Sequence, residues 1–202
     1  MEIKENLKKV WDFIWNSNSI WSWILSIILA FIVVKFAFFP LLSLTLGTSM
    51  PLVVVESSSM HHSGSFIGNT IGLQNSFEAW WSDAKSWYEA RGMTMQQAEN
   101  WPLKTGLEKG DIVILARAKQ PSIGDIIIFN ANQAHPIIHR IINITSINGN
   151  IVYSTKGDNN SDQLYIEKQI PEDAIVGKAT FRIPKLGWLK LGLVELINSF
   201  RG

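Results

Sequence analysis

Three consecutive serines, Ser57-Ser58-Ser59, follow the β-branched run Val53-Val54-Val55, and the four histidines fall into two pairs, His61 with His62 and His135 with His139. Cysteine is absent, which removes thiolate nucleophiles and every sulfur-based zinc site. Adjacent side chains on an extended chain point to opposite faces, so His61 and His62 diverge. His135 and His139, with Pro136 between them, would share a strand face about 13 Å apart. Neither pair has a companion ligand motif, so neither a metal nor a cofactor is expected. Serine is the stronger candidate. The Ser59 hydroxyl would emerge from the end of a rigid strand, and Ser57, on the same side of that strand, could donate to an oxyanion formed beside it together with backbone N–H groups. Such a hydroxyl needs a base, and an imidazole with an ordinary pKa of ~6.5 serves near neutral pH. The triplet by itself reads as a polar turn, so its surroundings must decide.

The chain has 202 residues, enough for one ordinary domain and an appendage. Its 18 Lys and Arg against 17 Asp and Glu leave a charge of +1, without the basic excess a nucleic-acid partner demands. At 47% hydrophobic and 17% charged it is not a disordered chain. Apolar residues concentrate in Ile20 to Phe39, with the run continuing past Pro40 to Leu46, and about 20 helical residues cross a hydrocarbon layer. A cleaved secretory signal would have a shorter apolar stretch and a small-residue cleavage site, so an uncleaved anchor is the better reading. Lys4, Lys8 and Lys9 precede the span, and no Lys or Arg occurs between Lys35 and Lys85, which places the N-terminus in the cytoplasm. Ile3, Leu7, Val10, Trp11 and Ile14 give residues 1–16 an amphipathic helical pattern suited to the inner membrane surface.

Beyond the span the period becomes strand-like. Residues 51–60, 111–118, 125–131, 135–147 and 150–156 are β-branched runs set off by Gly, Pro, Asn and Asp, and Asn148-Gly149 marks a tight hairpin. Residues 61–109 interrupt them. There Asn75 with Glu78 forms a capping box for a helix ending near Gly92, with Phe77, Trp80, Trp81, Ala84, Trp87 and Tyr88 on one side, and a second short helix follows Thr94. This aromatic stripe is either buried against the sheet or laid in a membrane interface. The tail, residues 189–200, reads as an amphipathic surface segment too short for a second span.

The blocks PLVVVESSSM, KGDIVIL, IGDIIIF, HPIIHRII and TKGDNNSD, in that order, resemble the signal peptidase I family in its archaeal and endoplasmic-reticulum form, which uses a Ser-His pair. The resemblance covers the anchor and residues 51 to about 188, apart from most of the insert. It implies a mainly β fold: an N-terminal transmembrane helix, then a β-rich catalytic domain with a helical insert. On that reading, residues 1–19 are a cytoplasmic segment, 20–46 the anchor, and 47–202 the extracytoplasmic catalytic domain with 61–109 as its insert. The implied activity is a membrane-bound serine protease that removes signal peptides from secreted preproteins, with the bilayer and a translocon or accessory subunits as further partners.

Residue by residue, the resemblance makes Ser59, immediately before Met60, the nucleophile and His139, immediately before Arg140, the general base. Asp158 and Asp162 match the acidic segment, with Asp162 the choice for orienting His139 and Asp158 a turn residue. Two departures stand out: Ser58 replaces the usual Gly, and about fifty residues separate Met60 from Gly110 where the family has a short loop. The alternative is a membrane-anchored β module that binds secreted proteins without cleaving them.

Overall fold

The computed structural model describes residues 2–62, 76–133 and 135–199, and the chain divides into two compact units, Met1–Thr45 and Leu46–Gly202. In the first, helix α1 (Glu2–Asn16) is followed by α2 (Ile20–Leu46), whose N-terminus is capped by Ser19 accepting from Trp21 N. The Ser22 hydroxyl, buried, donates to the Phe13 carbonyl at 2.6 Å and so ties α1 to α2. Among the described residues α2 is the one helix long and apolar enough to cross a membrane. It widens to a π turn at Val34–Phe38, just where Pro40 has no N–H to give to the preceding turn.

The second unit is a curled, seven-stranded antiparallel sheet with helices attached. Its strands are β1 (Leu52–Val54), β2 (Ile112–Ala116), β3 (Ile126–Phe129), β4 (Ile137–Ile147), β5 (Asn150–Lys156), β6 (Ile170–Pro171) and β7 (Ile175–Ile183). Their order is β1-β2-β7-β3-β4-β5-β6, every pair antiparallel. The runs read from sequence contain β1 to β5. The central β7 was missed because Gly177, Lys178 and Arg182 break its apolar run. The β4–β5 hairpin turns on Asn148 and Gly149, both at positive φ (52° and 82°), as its Asn-Gly pair requires.

β3 is buried on both faces and divides its side chains by the strand period. Ile126 and Ile128 join Val55, Met60, Leu107, Val113, Leu115 and Ala179 in one core, while Ile127 and Phe129 join Ile141, Tyr153 and Ile170 in another. A third cluster belongs to the insert. Helix α3 (Ser76–Glu89) buries Phe77, Trp80, Trp81 and Tyr88 with Met93, Ala98, Trp101 and Ile142 of β4, so the aromatic stripe is core packed on the sheet. Thr94 caps the short α4 (Met95–Ala98) with a reciprocal bond to Gln97. The Asn75 cap expected for α3 lies outside the described residues. α5 (Trp188–Ser199) closes the chain with Leu191 buried and Leu189, Leu193 and Leu196 exposed.

Candidate active site

Register on β4 sets the first part of the site. His139 lies opposite Ile127, and Arg140 opposite Ile126 and Lys156, so the two neighbours project to opposite faces. His139 shares its face with Thr155, which stands opposite Ile141 on β5. The second part comes from the chain leaving β1. Strand structure stops at Val54, and Ser57–Met60 form a turn, so the serines do not alternate along a strand as their spacing suggested. The turn still brings Ser57 Oγ within 3.1 Å of Ser59 Oγ.

Ser59 Oγ lies 3.0 Å from His139 Nε2. On the other side of the imidazole, Nδ1 meets Glu167 Oε1, a carboxylate with no exposed surface. Glu167 is fixed from three directions: Thr155 Oγ1 donates to Oε1 at 3.2 Å, Leu164 N donates to Oε2 at 2.7 Å, and the residue closes a single 3-10 turn, Tyr165–Glu167. A carboxylate accepts, so Nδ1 carries the proton and Nε2 is left to receive that of Ser59. Serine, histidine and carboxylate thus stand in the linear arrangement of a hydrolytic triad.

Asp162, the choice from sequence for orienting His139, does not occupy that place, and neither does Asp158. Asp162 is exposed and accepts from Trp87 Nε1 at 2.8 Å, a bond that holds its carboxyl below the usual range, and Arg91 lies 3.8 Å away. The loop swings it outward to α3. Asp158 is buried on the far side of the sheet, where Arg140 grips it through Nε at 2.9 Å and Nη2 at 2.6 Å. Burial alone would raise its pKa, yet the Arg140 charge and the bonds from His62 and Arg140 hold it well below the ordinary carboxylate value. Arg140 spends its remaining donors on the carbonyls of Pro102, Leu103 and Gly124. Arg140 and Asp158 therefore form the frame beneath the base, and Met60 is part of the same frame, buried with its sulfur 3.5 Å from Asp158 N.

The loop after β5 passes directly over the reacting pair. Asn159 N donates to Ser59 O at 2.8 Å, its side chain donates to Ser58 O at 3.1 Å, and a Cβ on Gly157 would fall 2.7 Å from His139 Nε2 and 2.8 Å from Ser59 O. A residue without a side chain is needed there. Lys156, just before it, is buried with its Nζ 5.0 Å from the Trp87 ring and 5.2 Å from that of Tyr88, and burial lowers its pKa.

The members of each histidine pair lie in different surroundings. His61 Nδ1 contacts Glu108 Oε1 at 2.7 Å, His62 is buried against Asp158, and His135 is exposed ahead of β4 while His139 is buried in it. Among the described residues no group of three or more His, Asp or Glu side chains is placed to hold a metal ion.

Curated proteins place this arrangement in context. Over 101 residues the chain is 29% identical to the signal peptidase complex catalytic subunit SEC11 of Scheffersomyces stipitis, a match covering 46% of this chain and 61% of the relative. It is 31% identical over 98 residues to the human catalytic subunit SEC11C, covering 44% of this chain and 51% of the relative, with the same figures for the mouse protein. The chain is a partial homologue of signal peptidase catalytic subunits. It spans about half to three fifths of the length of these relatives, and no protein-family model matches it.

Two residues at this site escaped the sequence reading. Glu167 sits in QLYIEKQI with no motif around it, and the one local signal was its spacing from Leu164, whose N–H it caps. His62 stood out in the sequence only as one half of a divergent histidine pair, yet it has no exposed surface.

Proposed function

We propose that this chain is a membrane-bound serine endopeptidase that cleaves signal peptides from secreted preproteins, with Ser59 as nucleophile, His139 as general base and Glu167 as the orienting carboxylate. The observation that carries the reading is the 3.0 Å approach of Ser59 Oγ to His139 Nε2, with Glu167 on the opposite ring nitrogen. The similarity to signal peptidase catalytic subunits supports the substrate class.

As Ser59 Oγ attacks the scissile carbonyl carbon, its proton passes to Nε2 of His139. The new C–O bond leaves the negative charge on the former carbonyl oxygen, and the Ser57 hydroxyl, 3.1 Å from Ser59 Oγ, is a donor at hand for it. Glu167 stabilises the imidazolium meanwhile. Nε2–H then protonates the departing amine as the C–N bond breaks, leaving an ester on Ser59. A water that gives its proton to Nε2 hydrolyses the ester, and Ser59 recovers its proton from His139. The helix Ile20–Leu46 anchors the chain, and Lys4, Lys8 and Lys9 favour a cytoplasmic N-terminus with the β unit on the other side of the membrane. Accessory subunits or a translocon are the natural partners.

The test is cleavage of a model preprotein by the purified full chain in detergent or lipid. Wild type should release the mature product, while Ser59→Ala and His139→Ala should each abolish release and remain folded and membrane-bound. Processing by either variant at the wild-type rate would overturn the assignment. A folded wild-type chain that binds the preprotein without cutting it would favour the non-catalytic module instead.

A further inference from the structure

The catalytic steps make no use of His62, yet this residue, three positions after the nucleophile, is in direct contact with α3 of the insert. Its ring is stacked on Trp80 of α3, with centroids 4.2 Å apart and planes within 5°, and Nε2 lies 2.8 Å from Asp158 Oδ2. Asp158 is ionised in its pairing with Arg140 and can only accept, so His62 presents Nε2–H. The carboxylate has a strong partner without it, since Arg140 Nη2 reaches the same oxygen at 2.6 Å. What the His62 bond adds is location.

Ser59 needs such fixing because it lies in a turn rather than in the sheet, and a turn without ladder bonds must be held by its neighbours. Its carbonyl accepts from Asn159 N, the Met60 carbonyl accepts from Leu107 N, and the Ser58 carbonyl accepts from the Asn159 side chain. Two of these three partners are on the loop that Asp158 belongs to. That loop is clamped from one side by Arg140 and from the other by α3, where Trp80 Nε1 donates to Asp158 O at 2.9 Å. His62 is thus bonded to the loop and stacked on the indole that clamps it, three residues from the nucleophile.

We propose that His62 is a positioning residue for Ser59, through which α3 of the insert sets the turnover rate of the peptidase. This rests on the serine-protease reading above. Its magnitude follows from the steepness of proximity effects, in which a displacement of about 1 Å can cost about 10²-fold in rate.

The experiment compares His62→Gln with His62→Phe in the full chain in detergent micelles, measuring kcat, KM and thermal unfolding. Glutamine keeps a donor near the place of Nε2 but loses the stacked ring. Phenylalanine keeps the ring on Trp80 but loses the donor. A positioning role separates activity from stability: His62→Phe should unfold at or above the temperature of His62→Gln yet turn over about tenfold slower, with KM within about twofold of wild type. Turnover that follows stability, or that equals wild type in both variants, would overturn the proposal. If His62→Phe does not fold, Trp80→Phe takes its place; it keeps an aromatic ring under His62 and removes the bond to Asp158 O. A fall in its kcat at unchanged KM supports the proposal, and an unchanged kcat overturns it. A wild-type chain that fails to cleave overturns the protease reading itself, whereas active wild type with unaltered His62 variants overturns this inference alone.

Discussion

Replacing Glu167 by Gln is the perturbation that isolates the orienting carboxylate, because the side chain keeps its shape and loses one acceptor. In the folded protein Oε1 accepts from His139 Nδ1 and Thr155 Oγ1, while Oε2 accepts from Leu164 N. An amide cannot serve both sides. If its oxygen faces Leu164, its NH2 group faces Nδ1 and favours the tautomer with the proton on Nε2, where it blocks transfer from Ser59. If its oxygen faces His139, the NH2 group confronts the Leu164 N–H and a buried bond is lost. The first outcome costs rate, and loss of the correct tautomer in a triad is worth about 10⁴-fold. Allowing for partial occupancy of the second, we expect kcat to fall by about 10³-fold, or about 4 kcal/mol at 1.36 kcal/mol per decade. Stability should fall by only about 1–3 kcal/mol, the cost of one unsatisfied buried group. Single-turnover cleavage of a preprotein by the full chain in detergent, alongside thermal unfolding, measures both. Asp162→Asn is the control: its carboxylate is exposed and bonded to Trp87, so turnover should stay within about twofold. Loss of turnover in Asp162→Asn with activity retained in Glu167→Gln would refute the reasoning and return the role to Asp162.

Gly157→Ala should reduce turnover by about 100-fold or more, since its Cβ would stand 2.7 Å from His139 Nε2, and near-normal kinetics would mean that the loop yields easily. Trp80→Ala should lower the unfolding free energy by about 3–5 kcal/mol, as removal of a buried aromatic does, with the same loss measured in detergent and in lipid; a loss seen in lipid alone would indicate an interfacial role. The pH dependence of stability follows from His62, whose pKa is lowered chiefly by burial, against a partly opposing bond from Asp158. The unfolded chain then takes up a proton near pH 6.5 that the folded chain refuses, so stability is full above that pH and declines as pH falls toward the folded pKa, by up to about 1.4 kcal/mol per unit. His62→Gln should flatten that part of the melting-temperature profile, and parallel profiles for the two proteins would contradict it. The lowered pKa of Asp158 acts further down, its stabilisation being lost only as pH falls below about 3.9.

The long apolar helix, the strand blocks and the hairpin turn were legible in the sequence because each is written in local terms: an unbroken apolar run in α2, β-branched alternation in β2 to β5, and an Asn-Gly pair at Asn148. Ser59 and His139 were legible as a pair through flanking blocks that the resemblance could match. The strand placement of Ser57 and Ser59 was not, since β1 ends at Val54 and the turn, rather than strand alternation, brings the hydroxyls together. The partner of His139 was decided by tertiary structure alone. Asp162 belongs to the acidic block that the resemblance matches, but Trp87 of the insert draws its carboxylate outward, and the 3-10 turn at Tyr165–Glu167 carries Glu167, which lies outside that block, beneath Thr155 to Nδ1. Asp158 likewise became the buried partner of Arg140 because β4 alternates, sending Arg140 to the face opposite His139. Types and local spacing determine which side chains can do chemistry, whereas the path of a loop between packed elements determines which of several carboxylates arrives, because that path is fixed by contacts with residues distant in the chain.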